Sequence, residues 1–393
     1  MPSRRALLTA LGAAAVGTAG CAERLRNPAQ SAPPIDGSCD NPAATWRMAG
    51  GGPGRTGQTN TVPPAPDADA VDLLGDVRGE DGRQVLASAL PAVTDGTAYV
   101  PASTEVVAVD IDAPEAGAVW RYDHDGGDFD TVPVLTCGAV VVPGLNRLAA
   151  LDRGTGGRYW QADVGGYGPS AAAAAGETTY VAGGTESVAV GTRAGDRQWT
   201  ATGETVAVGS SGIYTTRSVN RTGGIRKYDF DGEERWHLAL GKTVGSVSVA
   251  DRTVYAVDNR GTVYAIDAGT GVTRWSRSLA GVEQVHTGLA VTDETVVVPA
   301  GNGRRSVALD AATGEVQWQL DTGIVTGRPV VGDDWVALGR TNTSVTLHDL
   351  ADGTQRAAWS REHYGFGTID GLAPVEDGFV VRGGTTSGLT LLR

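Results

Sequence analysis

Eight times along the chain an apolar run, a polar turn and a second apolar run follow one another. The segments are AVTDGTAYV (92–100), VLTCGAVVV (134–142), AAAGETTYV (173–181), VGSSGIYT (208–215), SVADRTVYAV (248–257), AVTDETVVV (290–298), VVGDDWVAL (330–338) and PVEDGFVVR (374–382). Short apolar runs bounded by Gly, Asp and Ser predict β-hairpins, and no helix-period segment lies between them. After most hairpins comes a second signal. Residues 263–275 read VYAIDAGTGVTRW, residues 306–318 SVALDAATGEVQW and residues 148–160 LAALDRGTGGRYW, sharing Ala-x-Asp-x-x-Thr-Gly-x-x-x-Trp. Looser copies end in Trp120, Trp199, Trp236 and Trp359, so with Trp160, Trp275 and Trp318 the tryptophans recur about every forty residues. Each unit therefore holds four short strands, and four-stranded antiparallel sheets repeating at this period are propeller blades.

The motif has a physical reading. In the opening example Val263 to Asp267 is a third strand, and the Asp267 carboxylate can bond the amides of its own turn. Gly271 supplies the positive φ that closes the turn. Trp275, on the outer strand, can lie over the small Ala265 and wedge against the next blade, its indole N–H meeting a backbone carbonyl. Eight hairpins but seven tryptophan strands leave one blade short. The last copy aligns Leu389–Arg393 with Val263–Asp267, and the chain stops where a fourth strand should begin. Residues 70–77, AVDLLGDV, are the nearest unused strand pattern. They are expected to pair with the C-terminal strand and close an eighth blade, with Leu73 or Leu74 in the tryptophan's place. The alternative is a ring of seven blades.

The repeat resembles the tryptophan-docking motif of the PQQ-like β-propeller family, over roughly residues 70–393. That family includes quinoprotein alcohol dehydrogenases and the lipoprotein subunit of the bacterial outer-membrane barrel-assembly machinery. Trp46 and the following GGGPGRTG look like the lead-in segment of its secreted members. The resemblance implies an all-β, eight-bladed propeller. Quinoprotein dehydrogenases of this fold are longer and commonly carry a vicinal cysteine pair; this chain has neither that pair nor a CxxCH haem motif, so no PQQ ligands are carried over.

Charge and the amino terminus add an address. A net charge of −13 argues against nucleic acid and anionic lipid heads as partners. Of thirty-two basic residues only Lys227 and Lys242 are lysines, and this acidic, lysine-poor balance resembles a halophilic surface, the alternative being a merely GC-rich genome. Arg4 and Arg5 precede an uncharged run, Ala6 to Gly20, too short to span a membrane but suited to a signal sequence. The pair resembles the twin-arginine export signal, and Thr18-Ala19-Gly20-Cys21 resembles a lipobox with Thr in place of the commoner Leu. Residues 1–20 are thus expected to be a signal peptide and Cys21 the lipidated residue. Residues 21–66 read as a flexible Pro- and Ala-rich tether, and 70–393 as the propeller.

Other constellations are weak. Gly52-Pro53-Gly54-Arg55-Thr56-Gly57 satisfies GxGxxG but has no strand before it or helix after it, so no nucleotide site is expected. Asp123, Asp125, Asp128 and Asp130 form the best metal candidate, against the reading of a solvated connection between blades. The histidines show no ligand spacing. Cys39 and Cys137 are either disulfide-bonded or two free thiols, and Asn220 and Asn342 stand in glycosylation sequons. The expected function is a non-catalytic, lipid-anchored module on the outer face of the cell membrane. It would be a monomer that needs no cofactor and binds an envelope protein, peptide or glycan. Two alternatives are a small quinoprotein oxidoreductase using PQQ and calcium, and a sensor ectodomain with a membrane partner.

Overall fold

The computed structural model describes residues 35, 39, 46–75, 77–79, 82–123, 131–165, 168–219, 222–282, 285, 288–341, 344–360, 364, 368–383 and 388–393. The chain divides into a unit of residues 1–30, outside those described, and one of residues 31–393. The described residues form eight four-stranded antiparallel sheets. Seven are continuous in sequence: residues 92–123, 134–163, 169–202, 205–239, 244–278, 290–321 and 330–360. The eighth takes three strands from residues 369–392 and its outermost from Ala70–Asp72. Its register pairs Ala70 with Leu392, Val71 with Leu391 and Asp72 with Thr390. Innermost strands pack against one another around the ring, and that of blade eight returns to that of blade one. The ring has eight blades, closed by the N-terminal strand, and seven is excluded.

The motif residues explain how blades join. Five of the tryptophans pair in register with an alanine of the third strand, as Ala265 with Trp275 and Ala308 with Trp318, and Trp236 faces Lys227 instead. Each of these indole N–H groups then donates to a carbonyl of the following blade. Trp120 reaches Arg153 at 2.8 Å, Trp160 Thr192 at 2.7 Å, Trp199 Phe230 at 2.9 Å and Trp236 Ala268 at 3.3 Å. Trp275 reaches Ala311 at 3.0 Å and Trp318 Leu350 at 2.8 Å. In each case the acceptor follows the repeat Asp position. The ring face lies on the next blade's turn glycine: a Cβ on Gly271 would stand 2.8 Å from Trp236, and one on Gly314 2.6 Å from Trp275. That glycine therefore answers two demands, its positive φ and the indole above it. Within the turn, Asp267 Oδ1 accepts from the Gly269 and Thr270 amides at 3.0 and 2.9 Å and from the Thr270 hydroxyl at 2.9 Å. The Arg274 guanidinium and these bonds hold its carboxyl well below the usual range.

The two longer copies absorb their extra residues differently. Blade one loops them into a 3-10 turn, Pro114–Ala116, and keeps Trp120 opposite Ala108. Blade seven keeps the short turn and moves Trp359 two residues along its outer strand, opposite Val345, so that it stays on the same face. Fully buried there, it donates to the Ala65 carbonyl of the N-terminal segment at 3.2 Å.

Two expectations change here. The closing register puts Val71, not Leu73 or Leu74, opposite Leu391, which corresponds to Ala265. Leu73 sits two residues further on, as Trp359 does in blade seven, and both leucines are fully buried, whereas Val71 is 41% exposed. The tether reading fails for residues 46–66, which are bonded into the propeller, because strand edges supply partners that composition does not advertise. Among the described residues no helix is long and apolar enough to cross a membrane.

Candidate functional site

Innermost strands present unpaired edges toward the propeller axis, and the N-terminal segment meets them. Carbonyls of Trp46, Arg47, Pro53, Gly54, Thr56 and Gly57 accept in turn from the amides of Val93, Leu135, Val208, Val249, Val291 and Val331, at 2.7 to 2.9 Å. The segment thus visits blades one, two, four, five, six and seven in chain order, and the Val62 amide then reaches the Glu376 carbonyl of blade eight at 3.3 Å. It is a collar. Its glycines are required by close approach: a Cβ on Gly54 would stand 2.2 Å from the Val249 carbonyl oxygen, and one on Gly57 2.6 Å from that of Pro329. Upstream, Cys39 and Cys137 form a disulfide that ties the chain to the first turn of blade two, 98 residues away. Buried Ile35 offers its carbonyl to the Arg193 guanidinium.

The first and third turns of every blade share the collar's face, and that face is acidic. Exposed carboxylates occupy the first turns of blades one (Asp95), three (Glu177), five (Asp251), six (Asp293, Glu294), seven (Asp333, Asp334) and eight (Glu376, Asp377). Two cavities open there. One, of about 460 Å³, lies between blades six and seven and is lined by Asp293, Glu294, Asp333, Asp334 and Asp349 among others. The second, of about 980 Å³, lies between blades eight and one over the collar, lined by Arg47, Asp95, Ile111, Asp112, Glu376, Asp377 and Arg393 among others. Gln58 of the collar borders both, so they form one trough.

The larger cavity sits at the junction without a tryptophan staple. Ile111 follows the Asp position of blade one, as Arg153 does in blade two, and no indole reaches it among the described residues. Gly117, of blade one's remodelled turn, has nothing within 4 Å of an added Cβ. Small, exposed Val71 leaves the wedge open.

The repeat is decisive for kinship. The family model described as outer membrane protein assembly factor BamB matches residues 44–220 and 221–368. The chain belongs to this family. No curated protein matches the sequence. Among solved structures the fold is similar to quinohemoprotein alcohol dehydrogenase from Comamonas testosteroni, with 14% identity, TM-score 0.67 and 88% of this chain covering 80% of that one. It is also similar to BamB from Moraxella catarrhalis, at 17% identity, TM-score 0.59 and coverage of 82% and 95%. A computationally designed protein, Ika8, matches at 15% identity, TM-score 0.65 and coverage of 80% and 98%. Dehydrogenase, assembly factor and design share this fold, so the fold does not select among their functions.

The tryptophans that could floor a quinone are engaged elsewhere among the described residues. The repeat tryptophans are committed to blade junctions, Trp335 packs on Phe379, and Trp46 is buried under the collar. Among the described residues no three His, Cys, Asp or Glu side chains gather as for a metal ion. Of the acidic metal candidates, Asp123 ends the fourth strand of blade one, exposed and paired in register with Glu105. Asp125, Asp128 and Asp130 lie outside the described residues, as do Arg4, Arg5, Cys21, Asn220 and Asn342. Neither the collar nor the trough was foreseen from the sequence. The available signal was GGGPGRTG itself, whose glycines suit close backbone contact as well as a loose linker.

Proposed function

We propose that this protein is a non-catalytic binding module whose trough, from blade six to blade one, receives a basic segment of an envelope protein. The observation that carries it is the open staple between blades eight and one: a cavity of about 980 Å³ rimmed by Glu376 and Asp377, with Asp95 and Asp112 beside them paired to Arg153 and Arg393. Carboxylates on a rigid rim favour Lys- and Arg-rich partners and exclude acidic ones. The amino terminus supports export by the twin-arginine route and lipidation at Cys21, which would hold the module at the outer face of the membrane. The disulfide suits that compartment.

The test uses the exported full chain as bait in its own envelope, at native salt. Glu376→Arg with Asp377→Arg should lose the partner that the wild type retains, while Asp321→Arg, on the opposite face, should keep it. Equal recovery by all three overturns the trough. Cys21→Ser should release protein from membranes, and unchanged retention would remove the anchor from the reading. Stoichiometric micromolar binding of PQQ with calcium would instead favour the oxidoreductase.

A further inference from the structure

Two guanidinium groups lie inside the disc, among the innermost strands and connections of blades four to seven, and neither meets a carboxylate among the described residues. Arg328, on the connection into blade seven, donates through Nη1 to the carbonyls of Arg55 and Leu289 and to Ser248 Oγ at 2.9 Å. Its Nη2 donates to Ser246 Oγ at 3.0 Å. Those bonds rivet the collar to blade five. Arg55 is arranged otherwise. Its φ of +54° is left-handed, a conformation a bulky residue adopts only under constraint. Nη1 makes one long bond, 3.4 Å, to the Val206 carbonyl. Nε is buried without a partner, and Nη2 makes no hydrogen bond to a described residue.

Nε and Nη2 form one side of the guanidinium, the side that grips two oxygens of a single anion in parallel. Here no described group answers that side. Burial lowers the Arg55 pKa to about 10, and Arg328 is also lowered, by burial first and then by Arg55. The Arg55 guanidinium is buried, with its Nε shielded from solvent, so an ion held there would sit between collar and inner strands. Buried charge without a counter-ion is costly, and an anion between collar and inner strands would remove that cost.

We propose that Arg55, seated by Arg328, Ser246 and Ser248, is a binding site for a small oxyanion of the carboxylate, sulfate or phosphate class, held by Nε and Nη2. The site is separate from the trough, since none of these residues lines either cavity. Crystals of the full chain soaked in selenate should show one anomalous peak about 3 Å from both nitrogens. Calorimetric titration at fixed chloride should give one site per chain; a response to sulfate or phosphate indicates an inorganic oxyanion, and to acetate a carboxylate. Arg55→Met should abolish that titration while melting no lower than wild type in anion-free buffer. Arg55→Lys, which keeps the charge but not the fork, should bind at least tenfold more weakly. Bromide displacing selenate at the same place overturns the oxyanion class. No selenate at Arg55, or Arg55→Met titrating like wild type, overturns the site.

Discussion

At the scale of single residues, the turn glycines separate two effects that usually travel together. Gly271 and Gly176 both have positive φ, +74° and +55°, but only Gly271 lies under an indole. Gly176→Ala should cost about 1 kcal/mol, the penalty of a left-handed alanine. Gly271→Ala adds a clash with Trp236 and should cost about 3 kcal/mol in denaturant unfolding. Equal losses would deny the wedge. His348 gives a pH dependence. It is buried, with Nδ1 3.0 Å from the Gly353 carbonyl and Nε2 3.0 Å from Thr346 Oγ1, and burial lowers its pKa from the ordinary 6.5. Above that value neither state is protonated and the residue is neutral to stability. As pH falls through 6.5 the unfolded chain takes up a proton that the folded chain refuses, so stability declines until the folded pKa is reached. His348→Gln should flatten the melting profile between pH 7 and 5, and an unchanged slope would assign it to other groups.

At the scale of elements, blade eight is joined by a strand of three residues, Ala70–Asp72, and the two leucines just beyond it carry much of its worth. Leu73 is fully buried among Leu74, Phe379 and Leu389, while Val71 is 41% exposed. Leu73→Ala should cost about 3 kcal/mol and Val71→Ala under about 1, the usual contrast between a buried and a half-exposed truncation. Similar losses would mean that the pairing, not the leucine, holds the clasp. Blade number, strand order and this closure were all legible in the sequence, because period-two hairpins and a tryptophan every fortieth residue leave few arrangements. The register of the clasp was not. Leu73 and Leu74 are more apolar than Val71, but the tryptophan position is fixed by hydrogen bonding to Leu391, and pairing overrides hydropathy. The collar was illegible for a related reason: its bonds run from its own carbonyls to edges contributed by distant blades. Nothing local in GGGPGRTG records those partners, and the trough inherits that blindness because Gln58 and Thr59 of the collar build its floor.

At the scale of the whole molecule, charge is distributed unevenly as well as in excess. The net charge is −13, and the face that carries the collar holds adjacent pairs such as Asp293–Glu294, Asp333–Asp334 and Glu376–Asp377, all exposed. Some carboxylates are already answered: Arg356 bonds Asp334 at 3.0 Å and Asp349 at 2.6 Å. For Asp293, Glu294 and Asp333 no ion pair is found among the described residues. Repulsion between such groups reaches about 10 Å at tenth-molar salt and about 3 Å at molar salt. Dilution therefore couples turns on neighbouring blades that molar salt isolates, and the strain falls on the blade junctions. The melting temperature should drop steeply from molar to tenth-molar sodium chloride. Replacing Asp293, Glu294 and Asp333 together by Asn, Gln and Asn should make that drop shallower without lowering the molar-salt value. The same substitutions should weaken capture of a basic partner, because one set of carboxylates supplies both effects. A flat melting temperature in the wild type would return the arginine-rich, lysine-poor composition to base usage rather than to life at high salt. It would leave the trough in place but without a salt requirement.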